Sequence, residues 1–449
     1  MSDLEVSNWF GDLVSHPKVI IDVNSVEEIR AILKDSGSYP SPVRAVGSNH
    51  STAPCGVAEG GTLIRMKMNR IVHIDSDSIT VEAGARHIDV AQELEKHNLQ
   101  FYVNTEIGSL TAGSAACAGT KDGSFPGEYG QVGSYVIGIK LVLPSGELLE
   151  VTESQPEVIQ MVRSSYGTFG IVYEVTYRIR PLLPMAVYHE TFALDEFVAR
   201  LDELKARGES MMYYSFPFAD KITVEFRSYK PGATGSPNRS AWALRNYLWG
   251  TAGPRFGHDI EANIPIPKVR YEVIDGFNAI LRFKLENLVR AEYTIPTDQI
   301  INYPPTSDDS RYTFSLFAFP EAQFPKILAE FFKFVRDYYD EHGYRSNLLY
   351  VGYRIAQDQK SLLSYSYDGP VMTIDPVSTG NTGWKPFLET YNEFCIDRDG
   401  KPLLNQTFGL TPAIVQKAFG DRLKTFATAR RRYDPGDRLL NDYFRMLLG

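Results

Sequence analysis

The most regular pattern in the chain lies at 171–180, where apolar or aromatic side chains occupy every second position and mostly polar ones fill the positions between. A period of two predicts a strand with one buried face and one exposed face. Pro181 and Pro184 follow directly, and proline cannot donate to the hydrogen-bond ladder of a sheet. We therefore expect one domain to end near residue 182 and a different one to begin there.

The sequence changes character at this boundary. Before it, short apolar runs predict strands that alternate with helices, such as a helix over 25–33 with Ser25 as its N-cap. After it, the chain is rich in Tyr and Phe, with a long alternating segment at 211–229 and a helix predicted over 321–343. This second pattern predicts an antiparallel sheet covered by helices on one face.

A third segment follows residue 399, with a helix start at Thr411-Pro412 and a turn at Asp434-Pro435-Gly436. The pattern as a whole predicts an α+β fold rather than a parallel, doubly wound one. The domains that we expect are 1–182, 183–398 and 399–449.

Composition limits the partners of the protein. Lys and Arg number 46 and Asp and Glu 55, a net charge of −9, which argues against nucleic acid, since binding it depends on neutralising phosphates. No apolar run approaches the roughly 20 residues of a membrane-spanning helix, and the first residues lack the pattern of a secretory leader. Three cysteines without zinc or disulfide spacing favour a reducing, cytoplasmic location. No metal site is expected, and the oligomeric state is left open.

Two glycine-rich loops are the best candidates for a ligand site. The first runs from Arg44 to Ser51, and the second carries Gly108, Gly113 and Gly119. Small residues let backbone N–H groups approach a pyrophosphate closely, so the loops predict a nucleotide site. Neither contains a P-loop or a Gly-x-Gly-x-x-Gly motif, and two ordinary surface loops would have the same composition.

The first loop also carries a family resemblance. Arg44, Gly47, His50 and Ser51 match the Arg-x-x-Gly-x-Gly-His-Ser loop of vanillyl-alcohol-oxidase-type (PCMH-type) flavoproteins, with Asn49 in place of the second glycine. The segments 113–120 and 167–172 resemble two further flavin-contacting loops of that family, although Lys121 stands where many relatives have histidine. Three more segments resemble the aldonolactone and alditol oxidase branch, namely 213–218, 292–296 and 430–443.

The resemblance implies FAD as cofactor, attached covalently through His50. It also implies a two-subdomain FAD-binding domain, a substrate domain over the isoalloxazine and a C-terminal segment that returns to the cofactor. Cys117 is more typical of a small buried residue than of a second flavin attachment, and that question stays open. The cofactor-binding residues implied are Arg44, Val46, Gly47, Ser48, Asn49, His50, Ser51, Gly108, Ser109, Gly113, Ser114, Cys117, Gly119, Thr120, Gly170, Ile171, Val172 and Asn441.

The sequence departs from the alditol branch at the substrate. A Glu-x-Arg pair of that branch aligns with Gly352 and Arg354, and a His-Trp-Gly-Lys segment aligns with Leu403 to Gln406. Each charge-assisted hydrogen bond lost is worth about 1.5–3 kcal/mol, so we expect a substrate less polar than a sugar alcohol. An aromatic pocket wall is expected too, although tyrosines on an alternating strand are more typical of a sheet core or face. Its candidates are Tyr213, Tyr350, Tyr353, Tyr365 and Tyr367.

The resemblance implies an FAD-dependent oxidoreductase that removes a hydride from a CH–OH carbon of a small molecule, with oxygen as the expected acceptor. Arg354 is predicted to stabilise developing negative charge, unless it is a structural ion-pair member, and Tyr353 or Tyr365 to act as the base. Gln406 takes the position of the family's lysine. Two alternatives stay open: an oxidative tailoring or cyclising enzyme of secondary metabolism, and a flavoprotein that binds or converts its ligand without redox chemistry.

Overall fold

The computed structural model describes residues 4–304 and 310–448. A two-stranded antiparallel sheet of Val6–Ser7 and Val14–Ser15 begins the fold. A three-stranded parallel sheet follows, and its strand order is Val19–Val23, Thr62–Met66 and Val43–Val46. The helix Val26–Lys34 packs beside it, with the Ser25 hydroxyl accepting from the backbone N–H of Glu28 as the capping pattern predicts. The first glycine-rich loop leaves the carboxyl end of the strand Val43–Val46.

A six-stranded antiparallel sheet forms the second subdomain, and the strand predicted at 171–180 lies in it as Ile171–Pro181. This strand pairs with three neighbours, so its buried side chains form the centre of the core. The other strands are Ile71–Ile74, Ser78–Glu82, Leu99–Phe101, Val136–Val142 and Leu148–Thr152. The helices that accompany the sheet are His87–Lys96, Ala112–Cys117 and Pro156–Val162.

A nine-stranded antiparallel sheet dominates the second half of the chain. The segment predicted at 211–229 is two strands of this sheet, which turn at Asp220 with a positive φ of 50°. In spatial order the sheet contains Ala291–Thr294, Met185–Ala193, Lys221–Tyr229, Ser210–Phe216, Tyr350–Ile355, Val371–Ser378, Phe317–Pro320 and Lys401–Pro402, with Thr313–Phe314 beside Val371–Ser378.

Helices cover both faces of this sheet, whereas the sequence predicted them on one. Leu194–Ala206, Phe324–His342 and Trp384–Ile396 pack an aromatic core against the first face. A second group covers part of the opposite face, where Leu281 and Leu285 join the core that includes Met212. The helices of this group are Ser240–Tyr247, Gly253–Asn263 and Pro267–Leu288. The last of them also exposes large apolar side chains, which obscures the helical period in the sequence.

The C-terminal segment returns to the first half of the chain. Phe426 and Tyr433, from the helix Asp421–Tyr433, lie with ring centroids 5.2 and 5.3 Å from that of Phe169. The segment also contains the helices Pro412–Phe419 and Asp442–Leu448. Within residues 4–304 and 310–448, no helix is long and apolar enough to cross a bilayer.

Candidate active site

Two adjoining cavities lie where the three parts of the chain meet. The first is bounded by the two glycine-rich loops and the turn that precedes Ile171. Most of the predicted cofactor residues line it. They are Arg44, Val46, Gly47, Ser48, Asn49, His50, Ser51, Gly113, Ser114, Cys117, Thr120, Gly170, Ile171 and Val172.

Gly108, Ser109, Gly119 and Asn441 lie behind the residues that line this cavity, and their direct contact with the cofactor stays a prediction. The Ser109 hydroxyl lies 2.8 Å from Nε2 of His50. Asn441 Nδ2 donates to the backbone oxygens of Pro54 at 2.8 Å and Val57 at 2.9 Å, beneath the first loop. Gly108 is closely approached by Ile300 and Ile301, and Gly119 by Leu403. These four residues support the residues that line the cavity.

Other lining residues were missed by sequence reasoning. Several adjoin predicted ones, so extending each motif by a residue or two would have found them. Met66, Ala83 and Cys55 belong to separate segments that only the fold brings together. The residues missed are Ala45, Cys55, Gly56, Met66, Ala83, Leu110, Thr111, Ala118, Tyr166, Gly167 and Asn405.

The first loop is shaped by two conformational requirements. A Cβ atom on Gly47 would lie 2.0 Å from Oγ1 of Thr111, so no larger residue fits there without displacement. Asn49 has a positive φ of 53°, which asparagine tolerates better than most residues with a side chain. Asn49 therefore preserves the left-handed conformation that glycine would adopt at this position of the loop.

His50 lies in the wall of the first cavity, with Ser109 as its hydrogen-bond partner. Burial lowers the pKa of its imidazole to about 4. The ring is therefore neutral at neutral pH and retains a nitrogen lone pair, the form needed to attack a carbon electrophile.

Arg44 ties together three segments around the cavity. Its guanidinium donates to the backbone oxygens of Cys55 at 2.9 Å, Leu439 at 2.8 Å, Tyr166 at 2.6 Å and Gly167 at 3.1 Å. Burial lowers its pKa to about 10, which leaves it charged at neutral pH. These contacts assign Arg44 a structural role in addition to its place in the lining.

The residues of the first cavity suit the expected FAD. Gly47, Gly113 and Gly170 each lie so close to neighbouring protein atoms that a Cβ atom would collide, so a larger residue at any of these places would displace segments that line the cavity. Asn405 Oδ1 is buried in the same wall, and among the described residues it has no hydrogen-bond partner. An unsatisfied buried acceptor is costly, and the N3–H group of an oxidised flavin ring is a donor of the kind that it lacks.

The second cavity lies over one face of the nine-stranded sheet. Tyr214 pairs with Val351, which pairs with Asp375, so their side chains share this face. Leu110, Thr120 and Gln406 line both cavities, which places the two side by side. Its aromatic lining consists of Tyr214, Trp249, Phe256, Phe277, Tyr303, Tyr312, Phe314 and Tyr353.

Two of the four predicted catalytic residues, Tyr353 and Gln406, line this cavity. Arg354 points to the other face of its strand, where its Nε donates to Glu321 at 2.7 Å. Tyr365 is buried behind Gly119, and its hydroxyl lies 3.4 Å from the backbone oxygen of that glycine. Neither Arg354 nor Tyr365 lines the second cavity, so their positions do not support the predicted catalytic roles.

The position of Arg354 follows from strand parity. The alignment placed the family's Glu-x-Arg pair at Gly352 and Arg354, whereas Val351 and Tyr353 face the cavity. Since successive side chains of a strand point to opposite faces, a shift of one residue exchanges the two sets.

The aromatic wall exists, but only Tyr353 of the five predicted tyrosines belongs to it. Tyr213 and Tyr350 pack in the core on the helix-covered face, and the Tyr213 hydroxyl donates to Thr373 O at 2.5 Å. The Tyr367 ring instead lies 4.2 Å from the guanidinium carbon of Arg422.

A cluster of charged side chains occupies the polar end of the second cavity. Glu106 accepts hydrogen bonds from Arg245 and from the Tyr353 hydroxyl. Lys121 Nζ lies 2.9 Å from Oδ2 of Asp375 and 3.9 Å from the centre of the Tyr353 ring. Burial raises the pKa of Asp375, although the nearby charge of Lys121 opposes the shift. The cluster escaped sequence reasoning because its members come from widely separated segments.

Known proteins resemble the chain in two separate regions. A family model described as an FAD binding domain matches residues 17–152, and one described as D-arabinono-1,4-lactone oxidase matches residues 309–447. L-gulono-1,4-lactone dehydrogenase of Mycobacterium tuberculosis is 22% identical over 99% of both chains. L-gulonolactone oxidase of Bos taurus is 26% identical over 55% of this chain and 54% of its own. The chain thus spans about half the length of the curated animal relatives that it matches.

The fold is also that of solved cholesterol oxidase structures. The enzyme from B. sterolicum superposes with a TM-score of 0.77 at 15% identity, covering 100% of this chain and 97% of the other. A solvent-stable cholesterol oxidase gives a TM-score of 0.76 at 16% identity, covering 100% and 98%. Identities this low establish the architecture alone.

Fold and first cavity together define a PCMH-type FAD-binding flavoprotein. Within that class, the match to the D-arabinono-1,4-lactone oxidase model and the lactone-oxidising relatives identify the branch. The chain belongs to the aldonolactone oxidase branch of the PCMH-type family.

Proposed function

We propose that the protein is an FAD-dependent oxidoreductase that oxidises a CH–OH carbon of a small molecule bound in the second cavity. The observation that carries this proposal is the adjacency of the two cavities through Leu110, Thr120 and Gln406. Bound FAD supplies the redox chemistry by accepting the hydride. The chain's own residues orient the substrate, exclude water and take up the hydroxyl proton.

His50 is the proposed covalent attachment residue. Its neutral imidazole, its place in the wall of the first cavity and its contact with Ser109 support this role. After acid denaturation, we expect a yellow pellet and an intact mass increased by one FAD. His50→Ala should release its flavin into the supernatant. Release of the flavin from the wild-type protein would contradict the attachment.

Molecular oxygen is the proposed acceptor, giving hydrogen peroxide. The relatives include proteins named as oxidases and others named as dehydrogenases, so the acceptor needs its own test. Peroxide formation in air, compared with reduction of cytochrome c under argon, separates the two. A reducing, cytoplasmic location remains part of the proposal, supported by three unpaired, buried cysteines.

The proposed substrate is a hydroxylated compound less polar than a sugar alcohol. Gln406 and the charged cluster provide hydrogen bonds at one end of the second cavity. Phe256, Phe277 and Leu281 provide an apolar wall elsewhere, and contact with such a wall favours an apolar body. The names of the relatives make sugar lactones the reference compounds for comparison.

The test is anaerobic mixing of the flavin-loaded protein with a panel of alcohols. The panel contains 1-phenylethanol, L-gulono-1,4-lactone, D-arabinono-1,4-lactone, xylitol and sorbitol. We expect the flavin absorbance to bleach, and to bleach fastest with 1-phenylethanol. Efficient turnover of a lactone or a polyol would support the oxidoreductase function but overturn the less polar substrate. Failure of every compound to bleach the flavin would contradict oxidation of this alcohol class.

A further inference from the structure

We propose that Asp375 is the catalytic base that takes the proton of the substrate hydroxyl, and that Lys121 is the residue that positions it. The inference rests on the proposed oxidoreductase function and names a residue that sequence reasoning did not select. It replaces the predicted bases Tyr353 and Tyr365.

Asp375 carries an unused acceptor in the second cavity. Its Oδ2 receives Lys121 Nζ at 2.9 Å, and the Thr373 side chain lies near the carboxylate, but among the described residues no group meets hydrogen-bond geometry with Oδ1. The residue is only 4% exposed, yet it lines the cavity. A buried carboxylate oxygen without a donor is costly, and a substrate hydroxyl is the donor that would satisfy it.

The position of Asp375 fits a role beside the cofactor. Its strand neighbour is Val351, and both face the cavity with Tyr353. Its partner Lys121 directly follows Thr120, which lines both cavities. The ion pair thus connects the substrate-domain sheet to the loop at the cofactor boundary.

Glu106 is the obvious rival, but its oxygens are already engaged. One accepts from Arg245 and the other from the Tyr353 hydroxyl. Arg245 is anchored on its other side by Glu225, at 3.1 Å. Burial, with Glu106 and Asp375 nearby, raises the pKa of Tyr353 well above 10, so the phenol keeps its proton. Glu106 therefore acts as a fixed wall of the cavity.

Charged and titratable groups surround Asp375 from several elements. Lys121 opposes its protonation, and Glu106 favours it. The tyrosines that interact with its charge from neighbouring elements are Tyr213, Tyr353, Tyr365 and Tyr391. All four have pKa values well above their ordinary value of 10 because they are buried, so they stay neutral as Asp375 titrates.

The proton and electrons balance in the proposed step. The hydroxyl proton passes from the substrate oxygen to Oδ1 of Asp375. The C–H bond breaks with its electron pair, which bound FAD accepts as hydride, and the alcohol carbon becomes a carbonyl. Lys121 holds Oδ2, and its charge favours the deprotonated carboxylate before the step. Oxygen, the acceptor named above, later takes two electrons and two protons to give hydrogen peroxide.

The test compares Asp375→Asn, Lys121→Met and Glu106→Gln in the flavin-loaded protein. The rate of anaerobic flavin bleaching is followed over about pH 5 to 9, near typical catalytic pKa values. The probe is whichever compound, 1-phenylethanol or L-gulono-1,4-lactone, bleaches the wild-type flavin faster. Asp375→Asn should be about 10²–10⁴-fold slower, a typical loss for a base, and should lose the acidic limb of the profile. Lys121→Met should shift that limb to higher pH, and Lys121→Arg should restore it.

A binding measurement distinguishes a loss of proton transfer from a loss of structure in Asp375→Asn. Calorimetry with the same probe on dithionite-reduced protein, which cannot turn it over, should give similar dissociation constants for Asp375→Asn and wild type. Unchanged bleaching by Asp375→Asn, or loss of the acidic limb in Glu106→Gln alone, would overturn the inference.

A second measurement needs no substrate. Infrared difference spectra recorded as the pH is lowered should show a protonated-carboxyl band that Asp375→Asn lacks. Absence of that difference would overturn the assignment even if no alcohol bleaches the flavin. Failure to bleach wild-type protein speaks against the proposed function alone, so the two failures are distinguishable.

Discussion

The imidazole of His50 lies against the indole of Trp9, with ring centroids 4.7 Å apart and an angle of 30° between the planes. Trp9 is fixed in turn, because its backbone N–H donates to Asn49 O at 2.7 Å and its Nε1 donates to Pro304 O at 3.0 Å. The N-terminal segment thus orients the proposed attachment residue, although it precedes the family match that begins at residue 17.

Trp9→Ala should slow flavin attachment because the imidazole loses its stacking partner. A stacked aromatic pair is worth about 0.5–1.5 kcal/mol, which corresponds to attachment about 2- to 13-fold slower. The covalent fraction is measured by intact mass at intervals after FAD is added to apoprotein. Trp9→Phe should retain most of the rate. Leu4→Ala, at an exposed position of the same segment, is the matched control, and attachment by Trp9→Ala at the wild-type rate would contradict the role.

Gly47→Ala should lose FAD binding, because the new methyl group would lie 2.0 Å from Thr111 Oγ1. Relief of that contact requires the first loop or Thr111 to move, and both line the cofactor cavity. Flavin content after purification is the measurement. Gly276→Ala is a suitable control, since a Cβ atom there meets nothing within 4 Å in an exposed part of a helix. Gly276→Ala should raise the free energy of unfolding by about 0.5–1 kcal/mol, and the variant should keep its full flavin content.

Many residues that line the first cavity could be named from the sequence because they are contiguous. The segment from Arg44 to Ser51 needs only local backbone geometry to form its loop, so a motif describes it. Asn49 shows the same principle, since its positive φ meets the requirement of the glycine it replaces.

The second cavity could not be predicted in the same way. Its floor is one face of the nine-stranded sheet, and strand parity decides which side chains reach that face. Tyr214 and Tyr353 face the cavity, whereas Tyr213 and Arg354 do not. The Lys121–Asp375 ion pair joins residues 254 positions apart. Such a pair is set by how the substrate domain packs on the cofactor domain, which no local pattern records.

Cys117→Ser should keep the full covalent flavin content. Cys117 lines the first cavity, but burial raises the pKa of its thiol to about 12, so little of the reactive thiolate forms at neutral pH. The mass of the FAD-loaded variant should still show one covalent flavin through His50. A His50→Ala protein that still carries covalent flavin, and loses it on addition of Cys117→Ser, would instead identify a cysteinyl attachment.

Asp122→Asn should destabilise the contact between the FAD-binding and substrate domains. Asp122 and Arg227 form a bidentate pair at 2.7 and 2.8 Å, with side chains 4% and 1% exposed. Removing one partner of a buried pair costs about 3–5 kcal/mol, because the other charge is left uncompensated. Urea unfolding of the flavin-loaded protein measures this loss. The double variant Asp122→Leu with Arg227→Met should recover part of this loss. A double variant less stable than Asp122→Leu alone and Arg227→Met alone would contradict the explanation.

Glu225 should make the protein acid-sensitive. Burial alone would favour its neutral form, but Arg245 and His189 outweigh burial and hold its pKa below the ordinary 4.5. A depressed folded-state pKa contributes stability that is present above the unfolded value and is lost as the pH falls through the folded one. Glu225→Gln should therefore be less stable than wild type at neutral pH, and the difference should shrink as the pH falls below about 4, where the unfolded carboxyl protonates. Glu203 is an exposed carboxylate whose pKa is also lowered, so Glu203→Gln is the control. It should not change the free energy of unfolding measurably at neutral or acidic pH. Parallel unfolding curves for Glu225→Gln and wild type at every pH would contradict the role of this carboxylate.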